Sequence, residues 1–304
     1  MRPASALTRI AVFAIAAGIV LAAPGQPAQL PASDAPAASA GPDQVPPSLL
    51  RAAATDPADA PRYTPGADLS EVLSRPAMRP GEVFRNPVFG RNEVVVPNVR
   101  NTAVLIGDSQ SVPDDSWPRR ALMSLGYNVH FCGYGGTGFT AANGKVGNYI
   151  DALERGDWML PVGTPGLVVI EGGGNDAARG ASDAQITANA NRLVQAMKAR
   201  YPTTRMVVVG TLAKGANNGG GRRSQVDTLL STIAAKQGIT FVSAGDWLTK
   251  YNLTQHLADP VHMDSEGRKA LGTVLERRLR ELGIPDITAT AAATTQAGAG
   301  SKKG

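Results

Sequence analysis

Short apolar runs rich in β-branched residues recur through the central part of the chain, and segments with helical periodicity separate them. Alternation of this kind is typical of a parallel sheet covered by helices on both faces. The pattern therefore predicts an α/β fold, a three-layer α/β/α sandwich with a roughly five-stranded parallel sheet. The five predicted strands are 103–106 (AVLI), 129–132 (VHFC), 167–170 (LVVI), 206–209 (MVVV) and 239–242 (ITFV).

Two longer segments, 182–200 and 265–282, have the spacing of amphipathic helices, with apolar residues three or four positions apart. We expect each helix to turn one apolar stripe toward the sheet. The first stripe consists of Ile186, Ala190, Leu193, Val194 and Met197, and the second of Leu271, Val274, Leu275, Leu279 and Leu282.

The first 23 residues have the character of an export signal. Arg2 and Arg9 precede an apolar run over 10–23, as in the charged and hydrophobic regions of a signal peptide. A membrane-spanning helix needs roughly 20 apolar residues, so this run is short for a permanent anchor. We predict a signal peptide over 1–23 and a protein that is secreted or associated with the cell envelope, with an uncleaved tether as the open alternative.

The regions next to both ends are poor in residues that could form a core. Proline, alanine, serine and aspartate dominate 24–80, and 285–304 has a similar composition. Such segments cannot bury enough apolar surface to offset the entropy lost on ordering. We predict a disordered linker over 24–80, a single globular domain over 81–284 and a disordered tail over 285–304.

Charge and cysteine content exclude further classes of protein. The net charge of +5 falls to +3 without Arg2 and Arg9, which leaves 28 lysines and arginines against 25 acids. Because no basic patch is interleaved with aromatic residues, we expect no nucleic-acid partner. The single cysteine, Cys132, cannot form an internal disulfide and is expected to be a small buried residue at a strand end.

The candidate chemistry lies where predicted strands end, which is where open α/β sheets bind their ligands. The sequence GDS at 107–109 follows the first strand, a glycine-rich segment at 133–138 follows the second, and GGGND at 172–176 follows the third. A fourth polar segment, DPVH at 259–262, lies just before the last predicted helix.

Three residues of these segments are of the types that acyl transfer requires. A serine hydroxyl is a weak nucleophile that needs a base within hydrogen-bond reach, and the base needs a group that fixes its tautomer. Ser109, His262 and Asp259 can fill these roles in that order. With Asp259 and His262 three positions apart, the carboxylate can turn back to Nδ1 while Nε2 points at the serine.

The tetrahedral intermediate of acyl transfer also needs donors for its oxyanion, each typically worth about 3 kcal/mol of barrier. The backbone N–H of Ser109, the N–H of a glycine in 133–138 and the side-chain amide of Asn175 are the candidates. Glycine suits such a loop because its backbone can approach a substrate closely. Asp176 is expected to support the loop that presents Asn175, and Glu171 to do likewise or to be an incidental carboxylate of the cleft.

The chain contains three histidines, which narrows the choice of base. His130 falls within an apolar strand and is expected to be a core residue. His256 is expected to be a surface loop residue, with a place in the cleft left open. Since none of the three has ligand-like spacing with cysteines or acids, no metal is predicted.

The four polar segments resemble the four blocks of the SGNH hydrolases, also called GDSL-type esterases. That family carries a GDS-type nucleophile block, a glycine block, a GxND block and a DxxH block in this order. The resemblance covers roughly residues 100–284. It implies a flavodoxin-like sheet, catalytic Ser109, Asp259 and His262, an oxyanion hole that includes Ser109 and Asn175, and no cofactor.

Two positions depart from the family pattern. Gln110 stands in place of the name-giving leucine, at a position that the chemistry does not use. In the glycine block Gly133, Gly135, Gly136 and Gly138 compete for one role. The resemblance favours Gly138, because the following 139–140 (FT) is similar to the family's continuation.

The resemblance implies a serine esterase acting on carboxylic esters broadly, including short acyl esters, lipids, thioesters and acetylated polysaccharides. We expect a small-molecule, glycan or lipid ester as substrate and a monomeric protein. The absence of a long apolar lid segment favours short acyl chains or acetylated substrates. Transfer of the acyl group to a sugar or lipid hydroxyl, as in an O-acyltransferase, would use the same residues and remains an alternative.

Two further alternatives belong to other classes of function. The segment 133–138 matches GxGxxG, the dinucleotide-binding fingerprint, which requires a helix to begin at its third glycine. The sequence NGKVG at 143–147 interrupts such a helix. A non-catalytic binding module at the cell surface is the other alternative, and the retention of all four candidate catalytic side chains argues against it.

Overall fold

The structure is a computed structural model, and it describes residues 78–288. Its main sheet has five strands, all parallel, in the order β4-β3-β6-β7-β8. These strands are β3 (Thr102–Gly107), β4 (Asn128–Gly133), β6 (Leu167–Glu171), β7 (Met206–Val209) and β8 (Thr240–Val242). The predicted α/β fold and its five strands are confirmed.

Seven α-helices are described, and they lie on both faces of the main sheet. They are α1 (Trp117–Ser124), α2 (Tyr149–Arg155), α3 (Gly174–Ala178), α4 (Asp183–Arg200), α5 (Gly221–Lys236), α6 (Trp247–Lys250) and α7 (Ser265–Glu281). Short 3-10 helices cover Val99–Asn101, Ala216–Asn218 and Thr254–His256.

Both helices expected from the apolar stripes form, and local capping fixes where they begin. Ser182 and Gln185 make a reciprocal capping box at the start of α4, which satisfies backbone donors that a helix start leaves free. The Asp264 side chain accepts a hydrogen bond from Gly267 N–H at the start of α7.

Alternation along β3 divides the core into two layers. Val104 and Ile106 face the layer that contains residues of α2, α4 and α5. Ala103 and Leu105 face the other layer, which contains residues of α1 and α7. All four side chains are fully buried, so β3 is a rigid central support for the loop that follows it.

A second, smaller sheet was not predicted from the sequence. It contains β1 (Val83–Asn86), β2 (Arg91–Val94) and β5 (Leu160–Pro161). Its strands β1 (VFRN) and β2 (RNEV) are partly exposed and mix apolar with polar residues, so they lack the apolar run that marks the main strands. A bidentate ion pair joins the buried Glu93 to Arg200 of α4 at 2.5 and 2.6 Å.

Much of the predicted division into segments lies outside the described residues. The signal peptide and most of the 24–80 linker lie outside them, as do residues 289–304 of the tail. The first residues after 284 contact the domain, since Ile287 N–H donates to Leu125 O at 3.0 Å. Within 78–288, no helix has the length and apolar character that a membrane span requires.

The Asp227 carboxylate of α5 is a buried acid outside the polar segments discussed above. It accepts hydrogen bonds from Ser243 Oγ at 2.6 Å and Ala244 N–H at 3.2 Å. Burial raises the pKa of Asp227 from 3.8 to about 6. Because the folded-state pKa lies above the unfolded one, ionisation of Asp227 lowers stability progressively between about pH 4 and pH 6.

Replacing Asp227 with asparagine should therefore flatten part of the pH dependence of stability. Asparagine can still accept from Ala244 N–H, and it cannot ionise. We expect the free energy of unfolding of Asp227→Asn, relative to the unsubstituted protein, to rise by on the order of 2 kcal/mol between pH 4 and pH 7. Urea denaturation across this pH range measures the free energy of unfolding, and Asp114→Asn is the control at an exposed carboxylate. If the free energies of Asp227→Asn and the unsubstituted protein changed in parallel with pH, the raised pKa of Asp227 would be contradicted.

Candidate active site

The structure brings the three predicted triad residues together at the carboxyl ends of the strands. Ser109 follows β3, while Asp259 and His262 lie on the loop that precedes α7. His262 Nε2 is 2.8 Å from Ser109 Oγ, and His262 Nδ1 is 2.8 Å from Asp259 Oδ2. A continuous hydrogen-bonded path thus runs from the carboxylate to the serine hydroxyl.

The loop carrying Asp259 and His262 is stabilised by its own hydrogen bonds. Asp259 Oδ1 accepts from the N–H groups of Val261 and His262, both at 2.7 Å. The hydrogen bond from the His262 side chain, followed by those two backbone bonds, lowers the pKa of Asp259 to about 2. Asp259 is therefore a carboxylate throughout the range in which a histidine base works.

Gln110 ties the nucleophile turn to this histidine loop. Its side-chain amide donates to Val261 O at 2.8 Å, and its carbonyl oxygen accepts from Trp117 Nε1 at 3.1 Å. In the part of the chain that the structure describes, Gln110 makes no contact that would involve it in the chemistry itself. Its two side-chain bonds instead give it a positioning role, because they hold the loop of His262 next to the turn that carries Ser109.

Asn175 lies in the first turn of α3, on the same side as the nucleophile. Its amide nitrogen donates to Asp108 Oδ2 at 3.1 Å and to Thr137 O at 2.9 Å. The Asp108 carboxylate also accepts from Gln110 N–H at 2.9 Å. Asn175 is thus connected to both the nucleophile turn and the glycine segment.

The buried Asp176 carboxylate supports the loop after the glycine segment. It accepts from Phe139 N–H at 3.0 Å, Thr140 N–H and Thr140 Oγ1 at 2.6 Å each, and Ala141 N–H at 3.1 Å. Asp176 was predicted to support the loop that presents Asn175. It does have a structural role, but the loop that its carboxylate supports is 139–141. Asp176 joins the third polar segment to the second.

The choice of Gly138 as an oxyanion donor needs correction. Gly138 N–H donates to Ala141 O at 2.9 Å, so this donor is already occupied. A Cβ at position 138 would lie only 2.4 Å from Asp176 Oδ2. Glycine is required there because the carboxylate of Asp176 approaches the backbone closely.

Gly135 and Gly136 have the donors that Gly138 lacks. A Cβ at position 135 would lie 3.7 Å from Ser109 Cβ, so this segment borders the nucleophile. The carbonyl oxygens of Gly135 and Gly136 accept from Asn143 Nδ2 and Arg179 Nη2, both at 3.1 Å. Within residues 78–288, neither N–H group donates to an acceptor, which leaves both available to a substrate.

Two buried acids lie beneath the nucleophile turn. Burial raises the pKa of Asp108 to about 6, and it raises the pKa of Glu171 well above its usual range, with the charge of Asp108 adding to the effect. Ser111 Oγ donates to Glu171 Oε2 at 2.7 Å. Burial thus disfavours the charged form of Glu171, which is hydrogen-bonded to the turn and lines the small cavity beside Ser109.

The other two histidines take no part in this arrangement. His130 is partly buried in β4 and its Nε2 lies 2.7 Å from Met159 O. His256 Nδ1 lies 3.3 Å from Asp264 Oδ2. No group of three or more histidines, cysteines or acids that could hold a metal occurs in the described part of the chain.

The remaining sequence features also have a place in the structure. Cys132 is buried at the end of β4, and burial raises its pKa. The helix that a dinucleotide-binding fingerprint requires does not begin at Gly138, because α2 begins only at Tyr149. The segment 139–148 between them is an irregular loop, which disfavours the dinucleotide alternative.

The sequence model of the GDSL-like lipase/acylhydrolase family matches residues 102–270. No curated protein matches the chain significantly.

Several solved structures are similar in fold. A family two carbohydrate esterase from Clostridium thermocellum has 14% sequence identity and a TM-score of 0.50, covering 64% of this chain and 68% of that chain. A G-D-S-L family protein from Desulfitobacterium hafniense has 18% identity and a TM-score of 0.46, covering 58% and 98%. An acetyl xylan esterase from Butyrivibrio proteoclasticus has 13% identity and a TM-score of 0.46, covering 64% and 67%.

Proposed function

Because the chain belongs to the GDSL-like lipase/acylhydrolase family, we propose that it is a serine esterase whose nucleophile is Ser109. Membership confirms the resemblance found in the sequence, and it makes the protein a carboxylic ester hydrolase. The observation that carries the choice of nucleophile is the path from Asp259 through His262 to Ser109, with 2.8 Å at each step.

The reaction proceeds in two half-reactions on this path. Ser109 Oγ attacks the ester carbonyl while His262 Nε2 takes its proton, and Asp259 stabilises the imidazolium that forms. His262 then gives the proton to the leaving alcohol, and the acyl group stays on Ser109. In the second half, water attacks the acyl-enzyme with His262 again as base, which releases the carboxylic acid and restores Ser109.

Three donors hold the oxyanion in this proposal. Ser109 N–H and Gly136 N–H are both uncommitted among the described residues. The peptide plane of Gly136 N–H is fixed from its other side, because Asn143 holds the carbonyl of Gly135. Asn175 supplies the third donor by moving one amide hydrogen from Thr137 O to the developing charge. Each donor is worth about 3 kcal/mol of barrier.

The substrates we propose carry a short acyl group, with acetyl as the best fit. The cavity beside Ser109 has a volume of about 10 Å³, and its lining includes Asn175, Thr211 and Leu212 together with the ionisable residues Asp108, Glu171 and Arg223. Such a space holds roughly one water-sized group, so it leaves room for a small acyl group such as acetyl and none for a long acyl chain. Acetylated glycans belong to this class, and export through the segment 1–23 would bring the enzyme to substrates outside the cell.

A chain-length series combined with covalent labelling tests the proposal. We expect kcat/KM for p-nitrophenyl esters to be highest with acetate and to fall about tenfold or more by octanoate, since the extra methylenes do not fit the cavity. A fluorophosphonate should label Ser109 alone, as read by peptide mass spectrometry, and His262→Ala should suppress labelling.

Two results would contradict the proposal. Labelling of a different residue would show that the nucleophile is misassigned. A protein that is inert toward every ester and is not labelled would favour the binding-module alternative.

A further inference from the structure

A second cavity continues from the nucleophile along the histidine loop. Its volume is about 200 Å³, and Leu212, Arg223 and Val261 line both this cavity and the small one at Ser109. Leu248 and Leu257 add apolar wall, while Lys214 and Arg223 are its cationic residues. No acidic side chain lines this larger cavity, so its charge is positive. We call it the basic cleft.

Arg223 has no partner that explains its place in the basic cleft. The side chain is partly buried, yet it makes neither a hydrogen bond nor an ion pair with any residue of 78–288. Its neighbour Arg222 donates to Ala181 O at 2.7 Å and pairs with Asp183 at 2.7 Å. A guanidinium carries five donors, and no acceptor among the described residues takes up those of Arg223, so they are open to an acceptor that enters the cleft.

The position of Arg223 in its helix does not favour stability. It lies in the first turn of α5, which has no acidic residue and no side-chain cap at Gly220. A helix N-terminus carries partial positive charge, so a cation there costs about 0.3–1 kcal/mol. Lys214 is exposed and has no ion pair within the described residues, and it adds to the same positive field.

A role as counter-ion to the buried acids is the competing explanation for Arg223. Its charge does lower the pKa of Asp108 and Glu171, but burial outweighs this effect and raises both. The Asp108 oxygens already accept from Gln110 and Asn175. The donors of the Arg223 guanidinium are therefore unused by these acids.

We propose that Arg223, assisted by Lys214, binds a carboxylate on the ester substrate. The planar guanidinium matches a carboxylate with two parallel hydrogen bonds, and the basic cleft starts beside Ser109. The inference rests on the proposed esterase function and specifies its substrate class, namely short acyl esters of compounds that carry a carboxylate, such as O-acetylated acidic sugars.

Matched ester pairs that differ in charge test this inference. On the alcohol side, 4-acetoxybenzoate is compared with 4-acetoxybenzamide; on the acyl side, p-nitrophenyl hemisuccinate is compared with p-nitrophenyl pentanoate. We expect the ratio of kcat/KM between the charged and the neutral ester to be about tenfold or more in the alcohol-side pair. The acyl-side pair should show no such ratio, because its four- and five-carbon acyl groups exceed the small cavity at Ser109; a ratio in that pair alone would contradict the proposed substrate class.

Arg223→Gln should bring that ratio close to one, mainly through KM of the charged ester. Arg222→Gln removes the same charge from the same helical turn outside the cleft, and it should retain the ratio. If Arg223→Gln does not fold, the salt dependence of the unsubstituted protein tests the proposal. Raising NaCl from about 0.05 M to about 0.5 M should reduce the ratio of kcat/KM between the charged and neutral esters, and an unchanged ratio would contradict the proposal.

The outcomes separate the two proposals. The carboxylate site would be overturned if the unsubstituted protein showed no preference for either charged ester. It would also be overturned if Arg223→Gln lost kcat/KM equally on charged and neutral esters, a result that would favour the counter-ion role. Loss of the ratio in Arg222→Gln would also overturn it. Absence of hydrolysis of all four esters would instead overturn the esterase function itself.

Discussion

Replacing Ser109 with alanine is expected to lower kcat/KM for p-nitrophenyl acetate by about 10⁴-fold or more, because no acyl-enzyme can then form. His262→Ala should cause a loss of similar size. The two residues act as one unit, joined at 2.8 Å, so the double variant should be little worse than either single one. Initial rates with equal concentrations of folded protein measure all three.

The non-additivity is the more discriminating part of this experiment. If the losses in the two single variants multiplied in the double variant, Ser109 and His262 would be acting independently, contrary to the geometry. Undiminished hydrolysis by Ser109→Ala would remove the proposed mechanism altogether.

Replacing Asp176 with alanine is expected to lower both stability and activity. The substitution leaves the N–H groups of Phe139, Thr140 and Ala141 without the acceptor they have now. Since each buried unsatisfied donor costs about 1–3 kcal/mol, we expect the free energy of unfolding to fall by about 3 kcal/mol or more. Chemical denaturation measures this loss.

Activity should fall by about 10- to 100-fold in the same variant. The loop bordering Gly135 and Gly136 would lose its support, and the proposed oxyanion donor would then lose its position. Asp176→Asn is the matched control, since it keeps the shape and one acceptor oxygen, and it should be intermediate in both measurements. A stable and fully active Asp176→Ala would contradict the role assigned to this carboxylate.

The main sheet and the proximity of Ser109, His262 and Asp259 could be predicted from the sequence because their signals are local. Each strand of the main sheet is an apolar run, and the polar motifs follow directly after the strands or before a helix. The same reasoning missed the small sheet, whose short strands carry no continuous apolar run of comparable length. Its anchor is the ion pair between Glu93 and Arg200, two residues far apart in the chain, and no local pattern reports such a contact.

The sequence could not identify which glycine of 133–138 has a free N–H for the oxyanion, and the reason is a different one. Gly135, Gly136 and Gly138 are alike in sequence, and they differ only in what their N–H groups and neighbours do. The bond from Gly138 N–H to Ala141 O and the closeness of Asp176 are properties of the folded loop. The positioning role of Gln110 could not be predicted for the same reason, because its partner Val261 lies 151 positions away in the chain.

The internal hydrogen bonds of the Asp259–His262 turn bear on how this protein can change in evolution. The carboxylate fixes the backbone of the residues that follow it and the imidazole ring as well, so acid and base form one preassembled unit. Insertions or deletions between β8 and this turn would carry both residues together and leave their mutual geometry intact. Homologues should therefore vary freely in loop length before Asp259, and hardly at all between Asp259 and His262.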